Sequence, residues 1–246
     1  MMLSILGSSS AGNGYLFKAD DGEALVIEAG VKLAALKKEI GYNVNRIAGV
    51  IVTHSHHDHA GQLGYYLREG IDAYLSAETA NEAGCSSHHN THIIKAGKSF
   101  FVGGYHVLPF EVVHDVACFG FLIHHPESGR FVFITDTHYS PFRFKGLNNI
   151  IIEANYSQSI LENRLENIEI DRSYYDRVMR SHMSLETTMG FLKANELAQV
   201  NNIVLIHLSD GNSNAKQFKA DITAITAKQV HIAETGKQIP FNNKPF

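Results

Sequence analysis

Short, densely apolar runs alternate along this chain with stretches dominated by small and polar residues. Four runs carry a dense apolar stretch: "IAGVIVT" (47–53), "RFVFITD" (130–136), "NNIIIEAN" (148–155) and "NNIVLIH" (201–207). Strands covered on both faces read this way. Further strands are expected at "MLSIL", "DAYLS" and "YHVLPFEVVH". "YLFKA" and "ALVIEAG", joined by "DDG", form an expected hairpin, and "FGFLIHH" returns through "PESG" into "RFVFITD". Between the first strand and the hairpin, "GSSSAGNG" (7–14) reads as a small-residue loop.

Other segments follow the helical period. Leu33, Leu36 and Ile40 share one face before Gly41 ends the run, and a helix is predicted from about Ala60 to Glu69. Past residue 155 the pattern turns helical over Ser157–Ile168, Ser173–Arg180 and Ser184–Leu197. In the last of these Ser184 and Thr187 suit a helix start, with Thr188, Phe191, Leu192 and Leu197 roughly along one stripe. "NSNAKQFKADITAIT" predicts another helix and "KQVHIAE" a last edge strand. Strands in both halves, with helices between and after them, predict an α/β architecture: two sheets packed together under outer helices. No repeat, low-complexity tract or linker divides the chain, so residues 1–246 are expected to form one domain.

Composition is that of an ordinary globular protein, 44% hydrophobic and 19% charged. No apolar run approaches the roughly 20 residues of a membrane span, and the start lacks a basic region followed by a long apolar one. A cytoplasmic protein without a membrane partner is therefore expected. Two cysteines, Cys85 and Cys118, are read as reduced thiols. A net charge of −4 opposes a generic basic nucleic-acid coat, less strongly if bound divalent metals add positive charge at one place. The figure that changes the picture is 15 histidines.

Four of them fall within "THSHHDHAG", directly after the buried strand at 47–53. Alternate residues of an extended segment point the same way, so His54 and His56 can converge on one ion. Asp58 and His59, where the chain turns helical, can converge on a second. Imidazole and carboxylate suit zinc, manganese or iron, and the strict H-x-H-x-D-H order is harder to dismiss than a histidine-rich loop. Two ions need more ligands than this segment holds. His114, Asp136 and His207 each end a predicted apolar strand, and Asp136 can bridge.

With those three residues following in that order, "THSHHDHAG" resembles the metallo-β-lactamase fold superfamily across nearly the whole chain. The resemblance implies an αββα sandwich with the site at one edge between the sheets. It also implies His54, His56 and His114 on one divalent metal, Asp58, His59 and His207 on the other, and Asp136 between them. Zn2+ and Mn2+ both accept this ligand set. "GSSSAGN", "HDVACFGF", "SHMS" and "HLSDGNS" resemble the phosphodiesterase side of the superfamily, and most the YycJ/WalJ branch, to which 5′-to-3′ DNA exonuclease activity is attributed.

The mechanism this implies uses a hydroxide bridging the two metals, made available near neutral pH because the cations lower water's pKa from about 15.7 to about 7. Asp58 is expected to help orient it, and His182 is the candidate proton donor to the departing oxygen. Glu153 of "IIEANYS" resembles the carboxylate that partners this histidine in RNase Z. Ser8, Ser9 and Asn13 are candidates to hold a phosphate or orient the metal site, and His138 to contact substrate. His57 is expected to face away, and "CSSHHNTH" to be a rim loop without zinc-ribbon spacing.

DNA is the expected partner, with a homodimer admissible. About 70 residues separate Asp136 from His207, too few for the inserted domain of the larger nucleic-acid-processing members. A small cyclic nucleotide or cyclic phosphate is the alternative substrate, favoured by the acidic charge. Arg172, Arg177, Arg180 and Lys193, with Arg143 and Lys145, offer only a short basic track. β-Lactamase or thioesterase activity is disfavoured by the missing export signal and by His182. A non-catalytic binding module is disfavoured by the complete ligand set.

Overall fold

Ile151 points into one layer of side chains, while Ile150 and Ile152 on either side of it point into another. That period-two division explains why the central runs are apolar throughout: both faces of each sheet are covered. The computed structural model describes residues 1–244.

The first sheet contains β1 (Met2–Ser9), β2 (Gly12–Lys18), β3 (Ala24–Ile27), β4 (Ile47–Ile51), β5 (Ala73–Leu75) and β6 (Thr91–Ile93). The second contains β7 (Phe100–Val102), β8 (Tyr105–Val112), β9 (Cys118–His125), β10 (Gly129–Ile134), β11 (Asn149–Glu153), β12 (Asn202–Ile206) and β13 (Gln229–Ile232). A last strand, β14 (Gln238–Pro240), returns to the first sheet beside β1, so both sheets have seven strands. Phe17, Phe131 and Phe133 lie in the layer between the sheets. Outside the first sheet lie α1 (Leu33–Glu39), α2 (His57–Ala60), α3 (Leu63–Arg68) and α4 (Ala77–Glu82), with Leu36, Leu63, Tyr66 and Leu67 buried against it. Outside the second lie α5 (Gln158–Glu166), α6 (Arg172–Ser181), α7 (Leu185–Ala194) and α8 (Ala215–Thr226); α7 and α8 cover Ile150, Ile203 and Leu205. The layers run helix, sheet, sheet, helix, as expected.

Strand direction decides where function gathers. β10, β11 and β12 are mutually parallel, as are β3 and β4, so their C-terminal ends lie along common edges. β9 runs antiparallel to β10, which brings the β8–β9 connection to the same edge. β2 runs antiparallel to β3, which brings the β1–β2 turn there too. Loops beyond the carboxyl ends of parallel strands are where ligand sites form in open α/β sheets.

Several expected elements differ. "GSSSAGNG" is mostly strand: β1 runs to Ser9 and β2 starts at Gly12, leaving a tight turn at Ser10 and Ala11. Pairing with β2 satisfies a backbone that small residues left without a propensity signal. The helix predicted from Ala60 is two short helices, α2 and α3. The strand predicted to end at His114 stops at Val112. Strands β6, β7 and β14 and helix α4 had no counterpart among the expected elements; Ser76 caps α4 by accepting from the Thr79 N–H.

Candidate metal centre

Each strand ending at the shared edge delivers one or more polar side chains. His54 and Thr53 follow β4, Asp136 follows β10, Glu153 closes β11 and His207 follows β12. His54, His59, Asp136, Glu153 and His207 are all buried. Glu28, Asp136 and His207 have positive φ, 70°, 50° and 55°. Left-handed backbone is uncommon outside glycine and costly unless its surroundings enforce it; here it turns three polar side chains into one space immediately after a strand.

Within that space, ligand atoms of His54, His56 and His114 lie within 4.8 Å of one another, as do those of Asp58, His59 and His207. Asp136 forms a group with His54 and His59, one residue from each triad, and another with Glu153, His182 and His207. Asp136 Oδ2 stands 3.2 Å from His59 Nε2, and Asp58 Oδ2 stands 3.3 Å from His59 Nε2 and 3.3 Å from His207 Nε2.

Hydrogen bonding sets which imidazole nitrogens are free. The Thr53 hydroxyl donates to Glu28 Oε1 at 2.6 Å, so its oxygen accepts from His54 Nδ1 at 2.8 Å. That leaves the His54 Nε2 lone pair, which is buried and has no protein partner. An orphaned buried acceptor is costly without a ligand, and a ring whose other nitrogen is fixed by a second carboxylate-linked group is the usual arrangement of a metal-binding histidine. Burial foremost, together with the His59 charge, pushes His54 well below the usual histidine range, keeping it neutral as a ligand must be.

Glu28 does more. Its Oε2 accepts the Thr53 N–H at 3.2 Å, and its Oε1 lies 3.2 Å from His59 Nδ1, off the N–H direction, so that contact is one of charge rather than a hydrogen bond. One fully buried carboxylate thus supports a histidine of each triad. It was missed in the sequence because a single acid after "ALVI" has no periodicity to mark it.

Glu153 acts likewise on the other side. Its Oε1 accepts from His182 Nδ1 at 2.8 Å and from His207 Nδ1 at 3.1 Å, while Oε2 accepts the Met183 N–H at 3.1 Å. His182 therefore turns Nε2 away from Glu153, and its side chain is 14% exposed.

Four carboxylates, Glu28, Asp58, Asp136 and Glu153, surround these rings. Burial works against a charge on His207 and His59, but Asp136 foremost among the carboxylates outweighs it. His207 is raised to about 10, and His59 well above its usual range. Asp136 and Asp58 are held low by the same contacts with His207 and His59, against burial. The cluster carries more negative than positive charge and takes up protons to balance it. Divalent cations fit such a donor set, and both the free His54 nitrogen and the excess of carboxylate agree with it.

The remaining candidates are distributed unevenly. Asn13 is buried, its Nδ2 3.2 Å from Asp58 Oδ2 and 3.1 Å from His59 Nε2. Ser8 Oγ accepts the His207 N–H at 3.0 Å and pairs with the Tyr15 hydroxyl at 2.8 Å. Both belong to the frame around the site. Ser9 lines a cavity beside it. His138 is exposed and lines neither that cavity nor the one at the metal triads. His57 is exposed, and His89 and His92 stand on the surface away from the cluster.

A two-sheet sandwich with outer helices and a histidine–carboxylate cluster at its strand ends defines a metal-binding protein of the metallo-β-lactamase type. The family model described as Beta-lactamase superfamily domain matches residues 24–208, and the chain belongs to that superfamily. It is 31% identical over 170 residues to exodeoxyribonuclease YycJ of Bacillus anthracis, and 29% identical over 172 residues to exodeoxyribonuclease WalJ of Streptococcus pneumoniae. Each match spans 64% of this chain and 64% of the relative, just under two thirds of the relatives' length. Among solved structures, the metallo-β-lactamase fold protein YhfI of Bacillus subtilis superposes with a TM-score of 0.73 at 19% identity, covering 97% of this chain and 98% of that one. The short form of human tRNase Z gives 0.65 at 16% identity, over 98% and 99%. These two likenesses show the fold.

Proposed function

We propose that this protein is a metal-dependent phosphodiesterase with two divalent ions, Zn2+ or Mn2+, acting on DNA ends as a 5′-to-3′ exonuclease. In this reading the described chain is one catalytic domain. His54, His56 and His114 hold one ion, Asp58, His59 and His207 the other, and Asp136 lies between them. The observation that carries the reading is the Glu153–His182 contact, which fixes Nδ1 of a partly exposed histidine beside the ligand triads and leaves Nε2 directed elsewhere. A hydrolase needs such a group as its acid. The exodeoxyribonuclease relatives support the substrate class over the part they share.

Divalent cations held by these residues would make a bound water more acidic and would neutralise charge on the phosphate. Asn13 holds Asp58 through its carboxylate, and Asp58 orients the attacking water. Glu153 raises the His182 pKa against the opposing effect of burial, keeping a proton at Nε2. The water oxygen, having given up one proton to solvent, forms its bond to phosphorus as the bond to the leaving oxygen breaks, and the His182 proton passes to that oxygen.

A small cyclic phosphodiester is the second reading, favoured by the net charge of −4 and by the size of the cavity at the triads, about 150 Å³. Metal-reconstituted protein assayed side by side on 5′-phosphorylated DNA, bis-p-nitrophenyl phosphate and cyclic mononucleotides separates the two. Nucleotide release from DNA is expected; turnover of cyclic nucleotides alone overturns the exonuclease reading.

A further inference from the structure

Beside the triads, a cavity of about 310 Å³ opens between α6 and the turn that follows His207. It shares Ser10, Arg177, His182 and His207 with the smaller cavity at the metal ligands, so the two adjoin. The smaller part accommodates a phosphate. The larger lies at the lower end of small-molecule sites, roughly 300–1,000 Å³, and suits about one nucleotide unit.

Arg177 is the cation of this recess. Two nearby arginines are neutralised: Arg172 pairs with Asp176 at 3.0 Å and Arg164 with Glu169 at 3.2 Å. Arg180, on the same helix, lines neither cavity. Arg177 has no carboxylate partner among the described residues. Instead its guanidinium lies over the Tyr174 ring, 5.2 Å from the centroid. The Tyr174 hydroxyl accepts from Asn212 Nδ2 at 2.9 Å, which ties the ring to the segment that follows the cavity-lining Gly211. An arginine with its face on an aromatic ring keeps its N–H edge for an anion, and a planar fork of donors matches phosphate oxygens. The exposed hydroxyl of Ser10 adds a donor on the opposite wall. Asp210 also borders the cavity and opposes an anion there.

We infer that this recess is a second phosphate subsite, in which Arg177 receives the terminal 5′-phosphate of a strand whose next phosphodiester lies at the metal ligands. The assignment rests on the phosphodiesterase reading and goes beyond it. It makes Arg177 a specificity residue that recognises an end, one nucleoside away from the bond that is cut.

Thymidine 3′,5′-bisphosphate can fill both subsites at once, whereas thymidine 3′-monophosphate leaves the Arg177 subsite empty. Equilibrium binding of each to the metal-reconstituted protein, by calorimetry at constant salt, tests the inference. The bisphosphate is expected to bind at least about tenfold more tightly, a difference of about 1.4 kcal/mol. Arg177→Ala should bring that advantage close to unity, Arg177→Lys should keep part of it, and Asp210→Asn should increase it. Equal affinities in the wild type, or an advantage that survives Arg177→Ala, overturn the subsite while leaving the phosphodiesterase reading intact. Proportional weakening of both ligands in Arg177→Ala also overturns it, because Arg177 would then act on the metal centre. Failure of both nucleotides to bind overturns the nucleic-acid reading and the subsite with it.

Discussion

His182 and His207 share a single oxygen: Glu153 Oε1 lies 2.8 Å from Nδ1 of the first and 3.1 Å from Nδ1 of the second. One buried carboxylate therefore fixes the tautomer of a proposed proton donor and of a proposed metal ligand. Removing the donor alone, His182→Ala, is expected to lower turnover of bis-p-nitrophenyl phosphate about 10²–10⁴-fold with metal content unchanged. Glu153→Gln should lower both turnover and metal affinity, each by about 10–100-fold. Steady-state kinetics paired with elemental analysis of the purified variants distinguish the two, and unchanged turnover in His182→Ala would remove it from the mechanism.

Glu28 occupies the matching position under the other histidines. Thr53 donates to it twice, and His59 lies against it. Glu28→Ala leaves those groups buried without an acceptor, at a cost of about 1–3 kcal/mol each for groups that stay unsatisfied. Metal affinity should fall by about 10–100-fold, measured by competition with a chromogenic chelator, and thermal stability should fall even in the metal-free protein. A loss confined to the metal-loaded form would show that Glu28 acts on the ion and not on the frame.

How much of this could be read beforehand depended on whether a residue's role is local. "IAGVIVT", "NNIIIEAN" and "NNIVLIH" were legible as strands because burial on both faces makes their central positions consecutively apolar. The αββα layering followed from their order, and the H-x-H-x-D-H segment was legible because four ligands fall within six residues. β6, β7 and β14 were not, since strands of three residues carry too few positions for a period to show. Glu28 was illegible for a different reason. Parallel pairing of Ile27 with Ile51 sets it beside Thr53, and its own left-handed backbone turns it toward His59; neither leaves a mark in neighbouring residues. Ser8 and Asn13 stood out as part of a small-residue stretch, but only strand pairing of that stretch shows their groups directed at His207, Asp58 and His59.

Metal binding should stabilise the fold, because the ligands come from β-strand ends far apart in sequence and the unfolded chain does not present them together. A ligand at 100 times its Kd contributes about 2.7 kcal/mol. At about 2–4 °C per kcal/mol for a chain of roughly this length, the melting temperature should rise by roughly 5–10 °C per ion. Differential scanning calorimetry of EDTA-stripped protein before and after adding Zn2+ or Mn2+ checks this, and no shift with either metal would contradict the proposed ligand set.

Gly30, after β3, packs against the turn that carries Asp58. A Cβ there would overlap the Asp58 carbonyl and come within 2.8 Å of the Asn13 nitrogen. Gly30→Ala must therefore push back the turn that carries Asp58 and His59, at about 1–3 kcal/mol. The expected outcome is a protein that still folds but binds one ion weakly. Metal titration should resolve one tight and one weakened site where two tight ones are expected of the wild type. Equal weakening of both would mean that the displacement spreads to His54 and His56.

His231 gives the fold an acid sensitivity separate from the metal centre. Burial first, then Lys237 and Lys219, push its pKa down to about 4. In its neutral form Nε2–H donates to Asn202 Oδ1 at 3.1 Å, and Asn202 in turn donates to Asn149 Oδ1 at 2.8 Å and to the Pro240 carbonyl at 3.1 Å. Unfolded, the ring titrates near about 6.5. The folded state is thus the poorer proton acceptor: its advantage is complete above about pH 6.5 and is lost as the pH falls toward 4. His231→Gln removes this titration while the metal-site groups titrate as before. Urea midpoints of metal-free protein measured at pH 7.5 and pH 5 should therefore fall further for the wild type than for His231→Gln. Parallel decreases would mean that the His231 proton affinity is the same in the folded and unfolded chains.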